Sequence, residues 1–171
     1  WDEHPDIPIY FSGGWYDSYT RSTLDNYIGL SKIKSSKMNL IMGPWTHGTD
    51  KPELSFAGNV EFGKDAALSS FDELHSLWFD HHMKGKKNSL STDPPVKIFV
   101  MGGGDGHKTT DGKMFHGGHW RYEKEWPLTR AKYTKYYLSD DYTIGTSVPK
   151  KEKSRTTYKF DPSNPVPTIG A

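Results

Sequence analysis

Two short apolar runs, Ile7-Pro8-Ile9-Tyr10-Phe11 and Met38-Asn39-Leu40-Ile41-Met42, flank one amphipathic segment. Each run has the length and composition of a buried strand, and each meets turn-forming residues, Ser12-Gly13-Gly14 in the first case and Gly43-Pro44 in the second. Between them the pattern predicts a helix from about Tyr19 to Lys32, with Leu24, Tyr27 and Ile28 at i, i+3 and i+4. Two strands joined through a helix are expected to lie parallel in one α/β sheet. Parallel strands end at the same edge of their sheet. The residues after both runs are therefore brought to the carboxyl edge, where open α/β sheets place ligands.

Downstream, residues 52–63 read as irregular, and a long helix is predicted from about Lys64 to Lys84, with Ala67, Phe71, Leu74 and Trp78 at helical spacing and Gly85 as its stop. Asn88 to Pro95 reads as a linker, and Val96 to Met101 as a third strand running into the Gly102-Gly103-Gly104 turn. Beyond residue 104 the helical pattern disappears. Lys132 to Leu138 and Thr156 to Phe160 alternate like antiparallel strands, and the prolines of the tail forbid helix there. This change of pattern, near residues 126 to 130, divides the chain into expected domains at 1–128 and 129–171.

Asp17 follows the first strand through Gly14-Trp15-Tyr16, and His47 follows the second through Gly43-Pro44-Trp45-Thr46. A carboxylate that accepts from one imidazole nitrogen leaves the other free to take a proton from a nucleophile, and Asp before His is the order of these partners in α/β-hydrolases. Each residue also has a plainer reading, Asp17 as a turn residue capping the next helix and His47 as a structural or exposed histidine. The nucleophile belongs on a Gly-x-Ser-x-Gly elbow earlier in the chain, and no such pattern occurs anywhere in the sequence. Trp15 and Trp45, close to the two candidate residues, are expected to line the substrate pocket or to pack in the core. The pairs His81-His82 and His116/His119 read as surface residues, since neither has the carboxylate and spacing of a zinc helix, and no metal site is expected. Trp120 and Trp126 read as packing between the two domains.

Composition excludes several classes. The chain has no cysteine, hence no disulfide framework, thiol nucleophile or Cys-based metal site. A net charge of +1 gives no electrostatic basis for nucleic-acid capture, and no apolar run reaches the length of a membrane span. With 33% hydrophobic residues and 14% aromatics, ring side chains must supply much of the core. The chain begins at Trp1 rather than Met and is expected to be a piece of something longer. The sequence assigns no compartment.

Taken in order, Gly14-Trp15-Tyr16-Asp17, Gly43-Pro44-Trp45-Thr46-His47, Phe79-Asp80-His81-His82-Met83-Lys84-Gly85, Pro95 to Gly102, Glu125-Trp126-Pro127, Tyr137-Leu138 and Asp161 to Thr168 resemble the cocaine esterase family of serine hydrolases. That family sits in the X-Pro dipeptidyl-peptidase superfamily, with α-amino-acid ester hydrolases and glutaryl acylases. The resemblance implies an α/β fold class: the C-terminal portion of an α/β-hydrolase domain over 1–128, then the beginning of a β jelly-roll domain over 129–171. It implies that Asp17 and His47 are the acid and base of a Ser-His-Asp triad. It also places the serine, an oxyanion-hole tyrosine and a helical cap before Trp1. The implied activity is hydrolysis of a small-molecule acyl ester or amide without a cofactor, with the fragment alone inactive. The implied partner is the remaining N-terminal part of the same protein, and a homo-oligomer is compatible with this reading. The stretch from Gly103 to His119 is longer than the family pattern, and the tail ends Gly170-Ala171 where two glycines are usual. The runner-up activity is an X-prolyl dipeptidyl aminopeptidase, and the alternative of another class is a non-catalytic, aromatic-rich binding module.

Overall fold

The computed structural model describes residues 1–47, 52–151 and 153–167. Gly48 and the tail from Thr168 to Ala171 lie outside these residues. The chain divides into two compact units, Trp1–Leu128 and Thr129–Pro167.

The first unit is built on a four-stranded sheet in the order β1-β2-β5-β7, comprising β1 (Ile9–Tyr16), β2 (Met38–Thr46), β5 (Val96–Met101) and β7 (Gly118–Glu123). As expected, β1 and β2 are parallel and joined by α1 (Thr20–Ile33). The third strand, β5, also runs parallel to β2, and β7 closes the sheet antiparallel. β7 went unread in the sequence because Gly117-Gly118-His119 resembles a loop and Arg121 and Glu123 dilute its alternation.

Both parallel strands continue past the residues expected to stop them. β1 runs through Gly13-Gly14 to Tyr16, and β2 runs through Gly43-Pro44 to Thr46. The pair stays in register from Ile9↔Met38 to Gly14↔Gly43, then shifts so that Tyr16 meets Thr46. Two residues of β2, Pro44 and Trp45, thus oppose the single Trp15. A bulge is a position where a strand tolerates proline, because the ladder bond that its missing N–H would make is not required there.

Side chains alternate cleanly across this sheet. Ile9, Phe11, Met38, Leu40, Met42, Val96 and Ile98 pack with Tyr27 and Leu30 of α1. The opposite face carries Tyr10, Asn39, Lys97 and Tyr122, which meet Leu74 and Leu77 of α2 (Phe71–Lys84) and Leu90 of α3 (Ser89–Thr92). A second cluster around Ala57, Val60, Phe62, Ala66 and Phe99 lies toward the carboxyl end, with Tyr16 and Trp120 against it.

Residues 52–63, read as irregular, contain a hairpin of β3 (Phe56–Ala57) and β4 (Val60–Glu61), extended by β6 (Met114–Phe115). Its Gly58-Asn59 turn was the available signal. The single helix expected over Lys64 to Lys84 is instead a 3-10 turn at Lys64–Ala66 followed by α2. Ser70 breaks the run: its extended backbone starts α2 and its hydroxyl accepts from the Glu73 N–H at 3.0 Å. Asn88 to Pro95 is not merely a linker, since Asn88 and Ser91 form a reciprocal cap on α3. Among the described residues no helix is long and apolar enough to cross a membrane.

Among the described residues of the second unit, only β8 (Tyr137–Leu138) and β9 (Ile144–Gly145) pair, antiparallel. The alternation over Thr156 to Phe160 forms no strand, and Lys132 to Leu138 does so only at its end. None of this unit's described residues is buried, and Tyr133, Leu138, Tyr142, Tyr158 and Phe160 are exposed. Alternation alone does not make a strand. Without a partner ladder or a core to cover one face, nothing offsets the entropy of extending the chain.

Candidate active site

Asp17 and His47 stand side by side just beyond the carboxyl ends of β1 and β2. The register that pairs Tyr16 with Thr46 carries them there, because each is the next residue of its strand. His47 Nδ1 lies 3.2 Å from each carboxylate oxygen of Asp17. An ionised carboxylate only accepts hydrogen bonds, so this contact requires the proton on Nδ1 and leaves Nε2 with its lone pair outward. Exposure is asymmetric: the Asp17 side chain retains 19% and that of His47 60%. The carboxylate is sheltered and the imidazole faces solvent.

Local structure holds Asp17 firmly. Its Oδ1 accepts from the Tyr19 N–H at 2.7 Å, and its main-chain carbonyl accepts from the Thr20 hydroxyl at 2.7 Å and the Thr20 N–H at 3.3 Å. The Thr20 hydroxyl also reaches the Gly14 carbonyl. The two sequence readings of Asp17, turn residue at the start of α1 and partner of His47, are thus satisfied by the same side chain. Sequence reasoning missed Tyr19 and Thr20. The Tyr19 ring lies 5.0 Å from the His47 ring, inclined at 59°, and shelters one of its faces. The signal for both was their place two and three residues after an Asp at a helix start.

Trp15 and Trp45 lie inside the first unit. Trp15 donates from Nε1 to the Phe99 carbonyl at 2.8 Å and packs on Trp126 at 6.0 Å. Trp45 is 6% exposed and lies between Phe71 and Trp120, at 5.0 and 5.7 Å. Trp120 and Trp126, read as packing between domains, thus pack within the first unit. Both tryptophans belong to the strands that lead to Asp17 and His47, Trp15 half-buried in β1 and Trp45 buried in β2.

The histidine pairs differ from the surface reading. His81, His82 and His116 are half-buried and only His119 is exposed. His82 packs 4.6 Å from Trp78; burial, with the neighbouring charges of His81 and Lys37, pushes its imidazole below the usual range. His116 meets the edge of Phe62. Among the described residues, no group of three or more His, Cys, Asp or Glu side chains is placed to hold a metal ion.

Two family models match the chain: the X-Pro dipeptidyl-peptidase (S15 family) over residues 2–49, which contain Asp17 and His47, and the X-Pro dipeptidyl-peptidase C-terminal non-catalytic domain over residues 88–166. The second match begins inside the first structural unit, whose β5 and β7 share a sheet with β2. Cocaine esterase of Rhodococcus sp. (strain MB1 Bresler) is 28% identical over 95% of this chain and 27% of its own length. The chain thus spans about a quarter of that relative. Among solved structures, an aminopeptidase from a marine sediment Thaumarchaeota archaeon matches with a TM-score of 0.61 at 21% identity, over 95% of this chain and 25% of the other. A CocE/NonD family hydrolase from Staphylococcus aureus matches with a TM-score of 0.50 at 19% identity, over 82% and 21%.

Proposed function

Because the chain is a cocaine esterase-like member of the X-Pro dipeptidyl-peptidase superfamily, we propose that Asp17 and His47 are the acid and base of a Ser-His-Asp triad that hydrolyses acyl esters or amides. Residues 1–128 would be the C-terminal portion of an α/β-hydrolase domain and 129–171 the beginning of a jelly roll. The single observation that carries this reading is the contact of His47 Nδ1 with both Asp17 oxygens at the shared carboxyl edge of two parallel strands.

The chemistry follows from that contact. Asp17 holds the imidazole in the Nδ1–H tautomer, so that Nε2 can take the proton of a serine as its oxygen attacks the acyl carbonyl. The imidazolium so formed is stabilised by the Asp17 carboxylate beside it and returns the proton to the leaving alkoxide or amine. A water activated by the same nitrogen then releases the acyl group. The serine lies outside these 171 residues, which contain no Gly-x-Ser-x-Gly elbow, and the chain alone is inactive. Acyl-ester hydrolysis is preferred to X-prolyl peptide cleavage because of the similarity to the Rhodococcus cocaine esterase. Trp45, buried between Phe71 and Trp120, supports the end of β2, and the half-buried Trp15 remains the candidate pocket residue.

The reading frame upstream of the Trp1 codon tests this directly. A Gly-x-Ser-x-Gly elbow after a strand-like run supports the triad, and an intact upstream frame without a nucleophile contradicts it. Where the elbow is present, an alkyl phosphonate ester should label the complete protein and fail to label its His47→Ala variant. Unchanged labelling of that variant would remove His47 from the mechanism.

A further inference from the structure

The sheet of the first unit has a second edge, where β2 and β5 begin and β7 ends: Leu40 pairs with Val96, and Val96 with Glu123. Asp17 and His47 follow the other ends of β1 and β2. Because β2 runs over nine residues, Met38–Thr46, the two edges lie about 25 Å apart. Three segments meet at the second edge: the last turn of α1 with the loop into β2, Pro95 before β5, and residues 124–127 after β7. They border a cleft of about 580 Å³, within the size range of small-molecule sites.

The charge of this cleft is one-sided. Lys32, Lys34, Lys37 and Lys124 line it against a single carboxylate, Glu125. Lys34 Nζ donates to the Asp2 carbonyl at 2.9 Å and Lys37 Nζ to the Leu90 carbonyl, neutral acceptors that leave both ammonium charges in place. Asp6 faces Lys34, but its carboxylate is already held by the N–H groups of Ser35 at 3.0 Å and Ser36 at 2.8 Å. Lys32 and Lys124 have no ion pair or hydrogen bond among the described residues. The dipole of α1 accounts for Lys32, in its last turn. It does not account for Lys37 and Lys124, which come from separate segments beyond that turn. The same lining is partly apolar: Ile28 and Pro127 belong to it, as does the half-buried Trp126, whose ring packs on Trp15 at 6.0 Å.

We propose that this cleft is a second binding site, for an amphiphilic carboxylate: the anionic group meets Lys32 and Lys124, and a flat aromatic group lies against Trp126. Charge complementarity selects the anion, because four cations face one carboxylate. The apolar wall selects the ring, since an aromatic face stacks on an indole and buries surface that an inorganic anion does not have. An anion held among these lysines stands at the opposite edge from His47 and cannot be the acyl carbon that His47 serves. The site is therefore independent of the proposed triad, and its test involves no turnover.

The probe is 2-naphthoate, titrated into the 171-residue chain and followed by nitrogen-15 NMR, with 2-naphthalenemethanol as its neutral counterpart and sulfate as an anion without a ring. At the efficiency usual for ligands of this size, the Kd should be about 1 mM or lower. Shifts should concentrate at the amides of Ser35, Ser36 and Lys37 and at the Trp126 indole. The alcohol and sulfate should each bind about tenfold or more weakly, as should naphthoate to the Lys32→Glu/Lys124→Glu variant. Both substitutions are at exposed positions, and unchanged β1 and β2 amide shifts verify the fold of the variant. Absence of shifts at these positions up to about 10 mM naphthoate overturns the inference. Equal binding of the alcohol, or by the charge-reversed variant, would reduce the cleft to an apolar groove and overturn it too. Equal binding of sulfate, or shifts of the same size around Lys150, Lys151 and Lys153, would mark general attraction to lysine and likewise overturn it.

Discussion

Replacing Gly14 by alanine tests whether the close approach of β1 to β2 positions the candidate pair. A Cβ at Gly14 would stand 2.3 Å from the Trp45 carbonyl oxygen and 2.9 Å from its carbon. An ordinary C···O contact is about 3.3 Å, so roughly 1 Å must be found. The obstructing atoms are main chain, two residues before His47, and cannot swing aside as a side-chain end would. The cost should fall in the upper part of the overpacking range, about 2–3 kcal/mol. Gly85, at the end of α2, provides the contrast. Its φ is 66° and a Cβ there meets nothing within 4 Å, so Gly85→Ala carries only the left-handed backbone penalty of about 1 kcal/mol. Urea unfolding of the first unit should therefore move the midpoint by about 1 M for Gly14→Ala and by less than half of that for Gly85→Ala, with unchanged slope. Equal midpoints for the two variants would refute the claim that Gly14 is required by proximity.

Ser70→Ala removes the hydroxyl that accepts from the Glu73 N–H; α2 should lose about 1 kcal/mol, read as a fall in thermal midpoint that Ser70→Asp largely restores. Tyr10 is held up to about 12 from its usual 10 by burial first and by Tyr122 second. Below pH 10 both the folded and unfolded phenols are protonated and the contribution is complete; between 10 and 12 the unfolded phenol loses its proton first, so stability should decline over that window by up to about 2 kcal/mol. Tyr10→Phe should flatten the decline, which chemical denaturation as a function of pH would show.

The strand–helix–strand frame was legible because its three elements obey distinct periods, and it was enough to place Asp17 and His47 at one edge. Strand ends were not legible. Gly13-Gly14 and Gly43-Pro44 carry strong local stop signals, yet the parallel ladder continues through both pairs and a bulge accommodates Pro44. Local propensity was overridden there by a neighbouring strand that a sequence window does not contain. The break before α2 had a visible signature in Ser70-x-x-Glu73, but apolar spacing on both sides of it, Ala67 and Phe71, suggested continuity. The contact between Asp17 and His47 was legible as an order of residues and not as a distance. Tyr19 and Thr20, which hold the pair, were hidden because an exposed tyrosine and a helix-start threonine are ordinary in isolation. The fates of Trp15 and Trp45 depended on long-range partners, Trp126 and Phe99 for one and Phe71 and Trp120 for the other, that no local pattern connects.

The central claim, that Asp17 fixes His47 in the tautomer of a general base, is tested most directly by nitrogen-15 NMR of the His47 ring at alkaline pH. The account predicts the Nδ1–H tautomer in the native chain, with Nε2 showing the shift of an unprotonated nitrogen, and a mixture dominated by Nε2–H in Asp17→Ala. An Nε2–H ring in the native chain, or a tautomer indifferent to the loss of Asp17, would contradict it.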